Sequence, residues 1–147
     1  MPHAIATIGY EKATPDQVIA ALKAAGVDLL VDIRAVPWSR RPGFSKGALS
    51  VKTTEAGIGY VHLKGLGTPA EGREAGKAGR MDDFEAIFRA HMATEAAQAD
   101  LGRAAELAAA SRICLLCLEG DHRRCHRLIV ADMLAERLGA AIEHLSP

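Results

Sequence analysis

Two thiols, an acid, an imidazole and an arginine crowd one short stretch of this chain, Cys117-Leu118-Glu119 through Cys125-His126-Arg127. They follow the apolar run Ile113 to Leu118 and open a segment of helical periodicity, Cys125 to Leu138, so they stand where a strand ends and a helix begins. A cysteine in that position faces the N–H groups and positive dipole end of the helix, which favour its thiolate. Cys117 is therefore a candidate nucleophile, with Glu119, Cys125 and His126 around it. Cys114, in the middle of the run, reads as core, because free cysteine is among the most buried residue types.

The same residues admit other chemistries. Cys117 and Arg123 have the C-x5-R spacing of phosphate-cradling loops, yet Glu119 and Asp121 would repel the anion that main-chain N–H groups hold there. Cys117, Glu119, Cys125 and His126 are all of types that bind zinc or iron, at a spacing that fits no common finger. A reversible Cys117–Cys125 disulfide across a strand–loop–helix turn is a further alternative. Metal and redox readings rank below an anion or nucleotide site, and no particular metal or cofactor is implied. Arg127, in the first helical turn, opposes the macrodipole and so calls for a partner. Glu119 or Asp32 would supply one from the protein, a bound phosphate or carboxylate from outside.

A second concentration is the loop from Arg34 to Gly47. It holds Arg34, Arg40, Arg41 and Lys46, no acid, and the rings of Trp38 and Phe44. Cations for phosphate and aromatic faces for stacking are the ingredients of nucleotide or single-strand binding. The alternative is a solvated loop pinned by Trp38 against the core. His62, at the end of another apolar run, is a candidate proton carrier or equally a structural group, and His91 reads as helix surface.

These groups need elements to position them. Ala4 to Ile8 is a strand ending at Gly9, and Thr14-Pro15-Asp16-Gln17 carries the N-cap, the proline and the glutamine of a helix start. Val18, Leu22 and Ala25 share a face of that helix, which Gly26 stops. Leu29 to Ile33 is continuously apolar, as in a strand covered on both faces of a parallel sheet. A brief helical segment is expected near Leu49 and a third strand at Tyr60 to Leu63. The five glycines from Gly65 to Gly79 predict a mobile connection that could serve as a lid. Phe84, Ile87, Phe88 and Met92 form a helical stripe, continued to about Ser111 as one bent helix or two, with a break near Gly102. Ile113 to Leu118 is the fourth strand, and Ala141 to His144 an edge strand.

Alternating strands and helices give an α/β fold. The expectation is a single three-layer Rossmann-like or flavodoxin-like domain over residues 1–147, with a mainly parallel sheet of about five strands and right-handed crossovers. In such sheets ligands bind outside the carboxyl ends of the strands. Those ends are Gly9-Tyr10, Asp32-Arg34, His62-Lys64 and Cys117-Glu119, so four distant polar clusters should meet at one edge.

The composition agrees. At 147 residues the chain suffices for one domain with its own core. No apolar run is long enough to cross a bilayer, and MPHAIATIGY lacks the pattern of a signal peptide, so a cytoplasmic protein is expected. Three cysteines make a disulfide framework unlikely. Lys plus Arg equals Asp plus Glu at 18 each, so no whole-molecule field draws nucleic acid or anionic membrane and any basic site is local.

The chain resembles the DUF488 family over nearly its whole length. The resemblance rests on Thr7-Ile8-Gly9-Tyr10, on Asp32-Ile33-Arg34 with Pro37-Trp38-Ser39-Arg40 and Phe44, on Tyr60 with His62 and Leu66-Gly67, and on Leu115 to Glu119 followed by Cys125-His126-Arg127. Its most specific part is C-x-E-x5-C-H-R after an apolar strand. It departs at Tyr10, where the family pattern often has a small hydroxyl residue. The resemblance implies that Asp32, Arg34, Ser39, Arg40, His62, Cys117, Glu119, Cys125, His126 and Arg127 form one cluster, and it brings no established substrate.

Three readings follow. In the first, an enzyme or enzyme-like domain acts on a phosphate-bearing small molecule, nucleotide or nucleic acid: Arg34, Arg40 and Arg127 bind the anion, Cys117 reacts, and Glu119, Asp32 or His62 moves protons. In the second, the basic aromatic loop makes a non-catalytic nucleotide or single-strand binding module. The third is a thiol-redox or metal site. The sequence does not separate catalysis from binding, and it sets no oligomeric state.

Overall fold

The computed structural model describes residues 2–118 and 126–147. Its elements run β1 (Ile5–Gly9), α1 (Pro15–Ala24), β2 (Leu29–Asp32), α2 (Lys46–Glu55), β3 (Gly59–His62), α3 (Ala70–Lys77), α4 (Met81–Met92), α5 (Glu95–Ala110), β4 (Ile113–Cys117), α6 (His126–Leu138) and β5 (Ile142–Leu145). The strands form one sheet in the order β3-β2-β4-β1-β5, and every neighbouring pair is parallel. The α/β expectation and the parallel sheet are both met.

The direction of travel across the sheet decides which face each helix covers. From β1 the chain moves outward to β2 and β3, and α1 and α2 pack Val18, Leu22 and Leu49 with Ala6, Ile8, Leu30, Cys114 and Leu116 on one face. From β3 it turns back to β4 and then β5. Here α4, α5 and α6 pack Phe88, Met92, Leu101, Val130 and Leu134 with Ile5, Val31, Ile113 and Leu115 on the other face. A reversal of direction with a change of face is what right-handed crossovers require. Successive strand residues point to opposite faces, so the apolar runs of β2 and β4 feed both cores at once.

Local signals hold where they are strong. Thr14 Oγ1 accepts from Gln17 N at 3.2 Å while Gln17 Oε1 accepts from Thr14 N at 2.9 Å, a complete capping box. Gly26 takes the left-handed conformation at φ 68° just after α1. Three expectations change. The helix near Leu49 has ten residues. The long helical stretch is two helices, parted at Ala93-Thr94 rather than at Gly102, because Thr94 caps α5 by accepting from Ala97 N. The glycine-rich connection carries α3 and a 3-10 turn at Lys64–Leu66. That turn is anchored, since Asp100 accepts from Gly65 N at 2.7 Å and His91, half-buried rather than a surface group, donates to Gly65 O.

Candidate functional site

The loops after β1 and β2 lead to helices on one face, while β4, which lies between them, leads to α6 on the other. A crevice opens at such a reversal, outside the carboxyl ends of the strands. Tyr10, Arg34 and Cys117-Leu118 follow or end those three strands, and all line one cavity of about 250 Å³. That is below the range of drug-sized pockets, so it takes a small ligand or one end of a larger one.

On the α1–α2 face the crevice is built around a buried ion pair. Asp32 Oδ1 accepts from Arg34 Nε at 2.9 Å and from its backbone N at 3.1 Å, and Asp32 Oδ2 accepts from Arg34 Nη2 at 2.7 Å. Arg34 Nη1 donates to Tyr10 Oη at 3.2 Å and to Phe44 O at 2.6 Å, so four of its five N–H groups are engaged within the protein. Tyr60 donates its hydroxyl to Asp32 Oδ2. Burial, then the charge and hydrogen bond of Asp32, push the Tyr60 phenol above its ordinary range. For Arg34, burial works against the cation, but the bonds to Asp32 outweigh it and hold the charge more firmly. The hydroxyl of Tyr10, where the family often has a small residue, thus holds Arg34, and its ring stacks on Phe44 at 4.3 Å.

On the α6 face a second arginine is buried, only 1% exposed. Arg127 donates Nε to Thr7 Oγ1 at 3.2 Å and Nη1 to Cys117 Sγ at 3.2 Å. Thr7 is hydrogen-bonded in turn to His144 Nδ1 on β5. Cys117 is disulfide-bonded, its partner lying outside the described residues, whereas Cys114 is free and buried in mid-strand. Burial pushes the Cys114 thiol far above its usual range. His126 donates Nε2–H to Ile33 O at 2.8 Å, since a carbonyl only accepts, and burial lowers its pKa to about 4. The imidazole is therefore neutral at physiological pH.

The cavity between these two groups has an apolar mouth of Val36, Trp38 and Leu118, with Trp38 63% exposed. The lining also includes Thr68 and, from α3, Gly72, Arg73, Gly76 and Lys77. Thr68 is 3% exposed and its Oγ1 has no hydrogen-bond partner, a cost to the fold. The loop before it reaches the cavity because Gly67 packs on Ala35, where a Cβ would come within 2.3 Å of Ala35 N. Among the described residues the lining includes the cations Arg34, Arg73 and Lys77 and no carboxylate. Thr68, Arg73 and Lys77 are absent from the sequence-derived set. Their signal, two basic residues one helical turn apart after Thr-Pro, was hidden by the glycines around them.

Of the sequence-derived residues, Arg34, Trp38, Cys117 and His126 line the cavity. Asp32 and Arg127 lie behind it, each bonded to a lining residue. Phe44 is a core side chain under Tyr10. Ser39 braces its own loop, with Oγ accepting from Arg41 N at 3.1 Å, and Arg41 ties the loop to the carbonyls of Tyr10 and Ala13. Arg40 is exposed and His62 donates Nε2–H to Arg34 O at 2.7 Å, both outside the lining. Glu119 and Cys125, and the C-x5-R loop with them, lie outside the described residues. Among the described residues no three His, Cys, Asp or Glu side chains are grouped to hold a metal ion, and no helix is long and apolar enough to cross a membrane.

Sheet order, two-faced helical cover and a crevice at the reversal define a doubly wound α/β protein. The model of the family described as a domain of unknown function, DUF488, matches residues 14–134, and the chain belongs to that family. No curated protein and no solved structure matches the chain.

Proposed function

We propose that the cavity at the carboxyl ends of β1, β2 and β4 binds a small phosphate-bearing ligand with an aromatic or apolar part, a mononucleotide or the end of a nucleic-acid strand. The observation that carries this is the lining itself: an exposed Trp38 shares it with Arg73 and Lys77, and no described carboxylate opposes an anion there. An aromatic face takes a base and paired cations take a phosphate. Once its disulfide is reduced, Cys117 is the group that would react with such a ligand, and the neutral imidazole of His126 lines the same cavity.

Trp38 is the chain's single tryptophan and reports on its own site. Titrating AMP, adenosine and inorganic phosphate at low salt should give a saturable fluorescence change that is strongest with AMP and weakens as salt is added. Replacing both Arg73 and Lys77 by Ala should raise the dissociation constant about tenfold or more, equal to about 1.4 kcal/mol. A flat titration, with Trp38 still open to a soluble quencher, would sink the reading.

A second reading is favoured by one observation, the disulfide at Cys117. In it the cavity serves a thiol–disulfide exchange and the ligand carries or accepts sulfur electrons. Thiol counting across a graded dithiol series decides it. A disulfide that opens only under strongly reducing conditions is structural.

A further inference from the structure

We propose that Arg127 is a positioning residue for Cys117: once the disulfide is reduced, its guanidinium holds the sulfur as thiolate and makes Cys117 the reactive thiol of the cavity. The inference rests on the reading of the cavity as a site and names what would activate it. Arg127 is among the largest fully buried side chains of the protein, and its described contacts include Thr7 Oγ1 and Cys117 Sγ, both at 3.2 Å. Burial strengthens a cation's effect on a neighbouring thiolate, because little water lies between them. Thr7, fixed on β1 and bonded to His144, keeps the guanidinium from turning away.

Among the described residues, the other ionisable groups around the sulfur act in the same sense or not at all. Arg34, Arg73 and Lys77 line the cavity as cations, His126 is neutral, and Tyr10 is bonded to Arg34. Asp32, behind the lining, is paired with Arg34. Thr68, whose buried Oγ1 has no hydrogen-bond partner, lines the same cavity. On reduction by a dithiol, the S–S bond breaks and two electrons pass to the protein sulfurs. The reductant is left as its own disulfide, and the Cys117 sulfur leaves as thiolate beside Arg127. A stabilised thiolate leaves faster.

The test is alkylation of the reduced full-length protein with iodoacetamide across a pH series, read peptide by peptide by mass spectrometry. Each event forms one S–C bond and releases iodide. Cys117 should show a rate midpoint at least one unit below the ordinary thiol value of about 8.5, and Cys114 should stay unmodified as an internal standard. Arg127→Gln should slow Cys117 alkylation at neutral pH about tenfold or more and raise the midpoint, and Arg127→Lys should restore part of the effect. A wild-type midpoint at or above the ordinary value, or one that Arg127→Gln leaves in place, would overturn the proposal. Should Arg127→Gln not fold, the wild-type midpoint and Arg127→Lys decide. Added AMP keeps the two readings apart. A low midpoint without AMP protection upholds the thiolate and rejects the nucleotide, while protection with an ordinary midpoint does the reverse.

Discussion

Two buried arginines reach the same edge of the sheet from opposite faces, and they do different work there. Arg34 closes on Asp32 in a bidentate pair, adds Tyr10 and a carbonyl, and keeps its charge within the fold. Arg127 directs its described donors at a hydroxyl and at the sulfur of Cys117. The difference lies in the described partners: a carboxylate takes up the field of Arg34, whereas Arg127 donates to a hydroxyl and to the Cys117 sulfur, where its charge would act on a thiolate once the disulfide is reduced. One lines the cavity and the other lies behind it because the switch in crossover direction leaves β4 between β1 and β2.

The largest effect expected from breaking the comparison is on the Arg34 side. Asp32→Ala strands a guanidinium that is 6% exposed, and urea unfolding should show a loss of about 3–5 kcal/mol. A loss under about 1 kcal/mol would mean that Tyr10 and Phe44 O suffice to hold Arg34.

Next comes the pH response of the other side. Above pH 6.5 His126 is neutral in both folded and unfolded states and contributes no slope. As pH falls through 6.5 the unfolded chain takes the proton first, and the folded state follows only near its lowered value of about 4. Stability should therefore drop by up to about 3 kcal/mol across that window. The difference between wild type and His126→Gln in unfolding experiments isolates this slope, and equal slopes would refute it. The smallest effect sharpens the Arg34 side: Tyr60→Phe removes one hydrogen bond to a paired carboxylate and should cost about 1.5 kcal/mol in the same urea assay.

How much of this was legible depended on where the cause lay. The capping box of Thr14 and Gln17 and the apolar run of β2 are local causes, and both elements stand where the residues put them. The expectation that strand-end clusters meet at one edge rested on topology and also holds for Tyr10, Arg34 and Cys117. α3 was missed because its glycines lower helix propensity, while the packing of Gly72 on Ile87 and the Arg73 bond to Thr68 O depend on partners distant in sequence or invisible as a pattern. Phe44 looked like a stacking face because a ring in a basic loop reads the same whether it turns out or in, and only Tyr10 turned it in.

By itself the sequence determined the class of fold, the strands that reach the crevice and the sulfur at its base, because hydrophobic period, caps and the strand-to-helix position of Cys117 are local properties of the chain. Tertiary structure alone decided which face each charged group occupies. It gave Asp32 to Arg34 rather than to Arg127, brought Thr7 and Cys117 to Arg127, and set Thr68, Arg73 and Lys77 in one lining with Trp38. The physical reason is that burying a charge is tolerable only beside specific partners, and which partners are near follows from the crossover of strands far apart in sequence.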